Sequence, residues 1–428
     1  MSTTGTAVET DIPDIHTYRA DARNWLVANM ERRSEPSGLS DIGELGDFSP
    51  ELIDASRVVQ RELFDAGYAG ITWPREYGGQ GLPGAYEAVF LEEAEGYAMP
   101  DFGSLTGTTF HICAPVMLQH SSPEFLREFI PKVLMGDALI CQFFSEPTAG
   151  SDLAAARTRA TRDGDQWVIN GQKTWSTFAQ FADWGMCLAR TDWDVPKHRG
   201  LTWFAVPCDA RGLEIRPIQQ INGASRFCED FFDDVTVPDS HRIGDVNDGW
   251  TVTQTMLVLE RGASRSEDAL RLPGPGELAP DLVRLAERAA RLQDPIVRQK
   301  IARAHTNDYV ARALAWRIAQ HGSRGAMNAG VAAYGKLFRG IYNPIRARIG
   351  VEIGGGSSMT WDPADPSGDA TSKAYLTGRL RSIAGGTNEM QRNGIGERVL
   401  GLPREPSFDT NKPFSDVLRD AKNWGGKT

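Results

Sequence analysis

Between residues 138 and 245 the chain changes texture, and that change constrains its fold more than any other feature. On either side, apolar residues recur at helical spacing. Inside, they fall in short β-runs broken by Pro and Gly: MCLART, LTWFAVP, GLEIRPI and FCEDFFDDVTVP. Such runs imply a small sandwich or barrel. The order helix, strand, helix predicts an α+β multidomain chain. It has a frayed tail over 1–14, N-terminal helices over 15–137, a middle β-domain over 138–245 and a C-terminal helical bundle over 246–428. A length of 428 residues exceeds one ordinary core and fits two or three domains.

In the first helical part, Tyr18, Ala22, Trp25, Leu26 and Asn29 give a mostly apolar face at 3.6-residue spacing, and Val58, Leu63 and Phe64 mark another helix. The glycine-rich stretch 76–84 lacks P-loop spacing and reads as a tight connection before helices at about 85–98 and 125–134. In the last part, helices are predicted near 250–270, 280–292, 295–321 and 325–349, with a linker at 273–278. A final pair over 374–400 is broken at Gly385-Gly386.

Composition removes several classes. A net charge of -10, from 46 basic against 56 acidic residues, argues against nucleic acid or an anionic membrane as a bulk partner. No run of eighteen apolar residues spans a membrane, and the acidic N-terminus has no apolar signal core, so a cytoplasmic location is expected. Five scattered cysteines without CxxC spacing read as free thiols. The dispersed histidines show no metal-ligand spacing, so no metal is expected, and the G-x-S-x-G hydrolase motif is absent.

Residues 141–177 read CQFFSEPTAGSDLAAARTRATRDGDQWVINGQKTWST. Asp163-Gly164-Asp165 and Asn170-Gly171 tolerate positive φ and separate strand-like runs. QWVI and KTWST are therefore expected to pair as a hairpin about Asn170-Gly171. Ahead of them, Ser145-Glu146-Pro147 leads into Ala149-Gly150-Ser151-Asp152, a loop of small residues that backbone can present closely to a ligand. This string resembles the middle-domain signature of the acyl-CoA dehydrogenase family. The resemblance extends over nearly the whole chain, through residues 70–83, 243–250 and 384–406.

The resemblance implies the acyl-CoA dehydrogenase fold, with FAD between the β-domain and the C-terminal bundle at a subunit interface. It implies α,β-dehydrogenation of an acyl-CoA thioester in fatty acid or lipid metabolism, with electron-transfer flavoprotein as acceptor. The assembly would be a homo-oligomer, dimer or homotetramer, or a hetero-oligomer with a paralogue. By motif position, Gln142, Phe144 and Ser145 would line the flavin, Trp175 would pack on it and Thr177 would bond near N5. Taken alone, Trp175 reads equally well as a core aromatic. Ser151 and Arg261 would contact the substrate. A neighbouring subunit's Arg288, Gln299 and the turn Glu352, Gly355, Gly356 would complete the cofactor site, with Thr387 and Glu389 after the catalytic loop. The usual Arg-x-x-Phe-Gly is replaced by ERAARLQDPIVRQK, so Arg288 and Arg291 both stand as candidates.

An α-C–H is a weak acid, so its removal needs a desolvated carboxylate and donors for the developing enolate. Most relatives carry that glutamate just before Gly-Thr in the C-terminal motif. Here the position is Gly385, in Ala384-Gly385-Gly386-Thr387. A minority carries it on an earlier helix before an arginine, and this chain has Leu259-Glu260-Arg261 there. Val252, Met256, Leu259 and Ala263 form an apolar stripe with Glu260 at its edge. Glu260 is therefore the expected base, with the Gly385 backbone N–H supporting the thioester carbonyl. The missing side chain at 385 suggests a branched, cyclic or otherwise bulky acyl group. The alternatives are a non-catalytic subunit of a mixed assembly and a dehydrogenase acting on a carrier-protein thioester; Gly385 argues against a nitroalkane oxidase.

Overall fold

The computed structural model describes residues 12–32, 49–262, 279–323, 331–360, 366–404, 406–407 and 409–424. The expected linker at 273–278 and the end of the helix expected to reach 270 lie outside them.

Helix α1 (Ile15–Asn29) begins where the Asp14 carboxylate accepts the amides of His16 and Thr17, and it buries Tyr18, Ala22 and Leu26. In α2 (Pro50–Asp65) the buried face runs through Ile53, Gln60 and Leu63. This is the helix that Val58, Leu63 and Phe64 mark, although Val58 itself is exposed. The glycine-rich stretch is a tight connection: Gly78 has φ 91°, and a Cβ on Gly79 would lie 2.3 Å from the Trp73 carbonyl oxygen. After α3 (Gly84–Ala94), α4 (Ser104–Thr106) runs through a π-helical segment, Gly107–Cys113, into α5 (Ala114–His120). Helix α6 (Pro123–Leu134) closes this part, capped by Ser122.

Strands β1 (Ile140–Phe143), β2 (Arg159–Asp163), β3 (Gln166–Thr177), β4 (Trp184–Arg190), β5 (Leu201–Pro207), β6 (Leu213–Ile218), β7 (Phe227–Pro238) and β8 (Arg242–Ile243) build one mixed sheet. Its order is β6-β7-β3-β2-β4-β5-β8, and β1 joins it parallel to β4. The hairpin differs from expectation. Its turn is at Gly164-Asp165, between β2 and β3, with Asp163 opposite Gln166. Asn170-Gly171 lies within the single strand β3, at a register shift against β7. There the Asn170 amide donates to Asp234, and a Cβ on Gly171 would meet the Thr158 Cα at 2.7 Å. The glycine serves a close approach between strands, not a turn.

Helices α7 (Gly249–Gly262), α8 (Pro280–Arg288), α9 (Pro295–Ser323), α10 (Ala332–Gly354), α11 (Pro366–Thr377), α12 (Leu380–Ile383) and α13 (Asn388–Arg398) form the C-terminal bundle. Leu282, Leu285, Val297, Ile301, Ile349 and Ile353 pack in its core. A last helix, α14 (Phe414–Trp424), returns to the β-domain. Two of the contacts that join sheet and helices involve the elements β1, β5 and α7. The Trp203 indole of β5 donates to the Gly249 carbonyl and the Thr253 hydroxyl of α7, 3.0 Å each. The Thr109 hydroxyl of the π-helix accepts the Ile140 amide of β1 at 2.8 Å. The π-helix thus touches both β1 and α7.

Candidate active site

One wall is built by β1 and β3. Phe144 packs on Trp203 with ring centroids 5.3 Å apart, and the Ser145 carbonyl accepts the Thr174 amide at 3.0 Å. Gln142 lies in β1, and its side-chain nitrogen is buried without a hydrogen-bond partner. A buried unpaired donor costs about 1–3 kcal/mol unless something accepts from it. Trp175 sits at a second register shift of β3 with φ 66°, a strained value for a bulky residue, and its side chain is 59% exposed. Thr177, two residues on, is half-buried. A buried amide donor without a partner, an exposed indole and a half-buried threonine are groups that suit a flat heteroaromatic ring with carbonyl edges, so these residues fit a flavin.

Behind the wall, charges are buried and matched. Lys173 donates to Glu146 at 2.8 Å and to the Phe144 carbonyl at 3.1 Å, and Glu146 also accepts the Arg157 and Thr158 amides. Burial pushes the Glu146 carboxyl up, yet Lys173 and the two amides outweigh it and hold it below its ordinary value. Asp230, opposite Lys173 on β7, is different. Neither of its carboxyl oxygens has a hydrogen-bond partner, and burial pushes it up to about 7, against the opposing pull of Ser176 and Lys173.

The opposite side brings together two residues 125 positions apart in sequence. A Cβ on Gly385 would lie 3.4 Å from the Glu260 Oε1. The two alternative addresses for the base therefore open onto one point in space. Gly385 adopts φ 66°, and its backbone N–H donates to nothing among the described residues. Lys336 of α10 completes this corner, its Cε also 3.4 Å from that Cβ position and its ammonium donating to the Arg381 carbonyl at 2.6 Å. Burial lowers the Lys336 pKa, as do Arg339 and Arg381, while Glu260 pulls it up. Cys113, in the π-helix, has its thiol pKa raised by burial and then by the Glu260 charge. The side chain of Arg261 lies outside the described residues.

The remaining candidates lie at the turn around Gly385, at one end of the bundle and on the β1–β2 loop. Thr387 caps α13 by accepting the Met390 amide, and Glu389 is exposed beside Arg392. Arg291 donates to the Glu352 and Ile353 carbonyls at 2.9 and 3.2 Å, and Lys300, next to Gln299, pairs with Glu352 at 2.6 Å. Arg291, Gln299 and the Glu352, Gly355, Gly356 turn thus share one end of the bundle; Arg288 is exposed at the end of α8. Ser151 is exposed on the loop between β1 and β2. Sequence reasoning missed Lys336 and the π-helix. Lys336 carries no signal of its own, since a lysine on a helix ordinarily marks a solvated face, and a π-turn leaves no periodicity to read.

Residues 46–137, 141–235 and 247–400 match the family models of the acyl-CoA dehydrogenase N-terminal, middle and C-terminal domains. The chain belongs to the acyl-CoA dehydrogenase family. It is 36% identical over 392 residues to acyl-CoA dehydrogenase IpdE1 of Mycobacterium tuberculosis, covering 92% of this chain and 99% of that one. Among solved structures it resembles the Tcur3481-Tcur3483 steroid ACAD, with TM-score 0.71, 27% identity and coverage of 91% and 98%. It also resembles the ChsE4-ChsE5 complex from Mycobacterium tuberculosis, with TM-score 0.66, 27% identity and coverage of 93% and 100%. The fold and the oxidoreductase class expected from sequence are both met.

Proposed function

We propose that this protein is an FAD-dependent dehydrogenase of a bulky acyl-CoA thioester, with Glu260 as the base and electron-transfer flavoprotein as acceptor. The observation that carries the reading is the Glu260 carboxylate facing Gly385, where most relatives hold their glutamate. Bound FAD supplies the hydride acceptor. Gln142, Phe144, Ser145, Trp175 and Thr177 hold its ring, Thr387 and Glu389 reach it after the catalytic turn, and Arg288 or Arg291 with Gln299, Glu352, Gly355 and Gly356 serve a neighbouring subunit's cofactor. Glu260 takes the α-proton. The unbonded Gly385 N–H supports the thioester oxygen as enolate charge develops, and Ser151 and Arg261 hold the CoA arm.

A side chain at 385 would take space that Glu260 and Lys336 bound on two sides, so its absence widens the acyl end of the site. The steroid class named for one structural relative agrees with a ringed acyl group. Anaerobic bleaching of flavin absorbance by straight, branched and cyclic acyl-CoAs tests the reading. Ringed substrates should bleach the wild type and leave Glu260→Gln oxidised; a straight-chain preference sinks the bulky class. Gly385→Glu should slow ringed substrates most, and unchanged turnover would remove the steric argument. A second reading, a subunit of a mixed assembly, is favoured by the paired names of both solved structures. Flavin-loaded activity of the purified single chain decides against it.

A further inference from the structure

The family match ends at residue 400, yet the chain runs on to 428, and its C-terminal segment folds back onto the β-domain. Phe414 and Ser415 donate their amides to the Val195 and Trp193 carbonyls at 2.9 and 2.8 Å, and the Ser415 hydroxyl donates to Asp194. Phe414 is buried. Its ring stacks near Trp193 and lies 4.0 Å beneath the guanidinium of Arg190. Arg190 is itself fully buried, and its donors go to the Ala154, Ala156 and Lys197 carbonyls at 2.5, 3.0 and 3.2 Å. One face of a buried cation thus meets the C-terminal segment while its edge holds the loop that begins after Ser151.

A second tie runs in parallel. The Lys197 ammonium donates to Asp152 at 2.8 Å and to Asp409 at 2.7 Å, and the Ser407 hydroxyl fixes the other Asp409 oxygen at 2.6 Å. Burial works against the Lys197 charge, but the two aspartates outweigh it and raise its pKa; Lys197 and then Ser407 hold Asp409 low. Both ties end on Asp152–Ala156, immediately after the residue assigned to the CoA arm. Neither is needed to close the sheet, because β4 and β5 already pair along their whole length.

We infer that the C-terminal segment carrying Ser407, Asp409 and Phe414 is a strap that positions the substrate loop, with Asp409 and Phe414 as its positioning residues. The inference rests on the assignment of Ser151 as a substrate contact. The strap sets the loop's resting geometry through Lys197 and Arg190, and so sets how tightly acyl-CoA binds and not how fast the proton leaves.

The test uses the full-length, flavin-loaded protein with Asp409→Asn, Asp409→Glu and Phe414→Ala. Two quantities are measured: amide exchange of residues 152–156, and the acyl-CoA KM with kcat. Asp409→Asn should speed exchange in the loop and raise KM about two- to five-fold, the span of a half-exposed ion pair, at constant kcat. Asp409→Glu should restore both, and Phe414→Ala should exceed Asp409→Asn. Unchanged exchange in Asp409→Asn overturns the strap, even if Phe414→Ala fails to fold. Faster exchange with unchanged KM overturns the substrate link and the Ser151 assignment while leaving the dehydrogenase reading intact. If no acyl-CoA is turned over, that reading fails, and exchange alone still decides the strap.

Discussion

Two lysine–glutamate neighbourhoods in this molecule are built to opposite ends. Lys173 and Glu146 are buried, 2.8 Å apart, with the remaining carboxylate capacity filled by two backbone amides. Lys336 and Glu260 are half-buried, and both look into the space left by Gly385. The first pair is saturated and holds the loop 146–158 to β3. The second sets a carboxylate and a lysine side chain beside an opening. A charge cluster closed in by backbone serves as scaffold; one that borders an opening has room for a second molecule.

The largest effects should come from disabling each neighbourhood in turn. Glu260→Gln should cost about 10²–10⁴-fold in turnover while flavin content and melting temperature stay unchanged. Stopped-flow reduction by acyl-CoA reads this directly, and a small loss would move the base elsewhere. Lys173→Met should do the reverse, leaving Glu146 buried and unpaired at a stability cost of about 3–5 kcal/mol in denaturant unfolding. If it were instead mild, the pair would not be the scaffold described.

Asp230 adds a third case, a buried carboxyl without partners on the scaffold side. Its folded value of about 7 stands above the 3.8 of the unfolded chain, so the folded state keeps a proton that the unfolded state has lost. Stability from this group is intact below about 3.8 and falls as pH rises toward 7. Asp230→Asn should therefore match the wild type at acid pH and exceed it by up to about 4 kcal/mol at neutral pH. A pH-independent difference would show that Asp230 is paired after all. The smallest effect belongs to the rim of the Gly385 turn. Thr387→Ala removes the α13 cap and should cost about 1 kcal/mol in stability, with a modest fall in turnover as the Gly385 turn loosens.

The sequence disclosed the element order because periodicity survives tertiary packing in long helices and buried strands. Tyr18, Ala22 and Leu26 lie on the buried face that their spacing implies. It misplaced the hairpin turn because Asn-Gly serves equally at a turn and at a bulge, and only the pairing of β3 with β7 decides between them. The site divides in the same way. Glu260 and Gly385 were legible through family resemblance, but their meeting was not, since it depends on how α7 packs against the turn after α12. The strap was invisible because its meaning lies in Asp409 reaching Lys197, 212 residues away.

The left-handed turn at Gly385 also bears on how such a site could have changed hands. With Glu260 as the base, a chain holding glutamates at both 260 and 385 would set two carboxylates against one point and force a side chain onto φ 66°. One of them would stay protonated, and the backbone would be strained. The double-occupied state is thus a poor stepping stone between the two arrangements. A carboxylate can therefore be accommodated at one of these two positions more readily than at both.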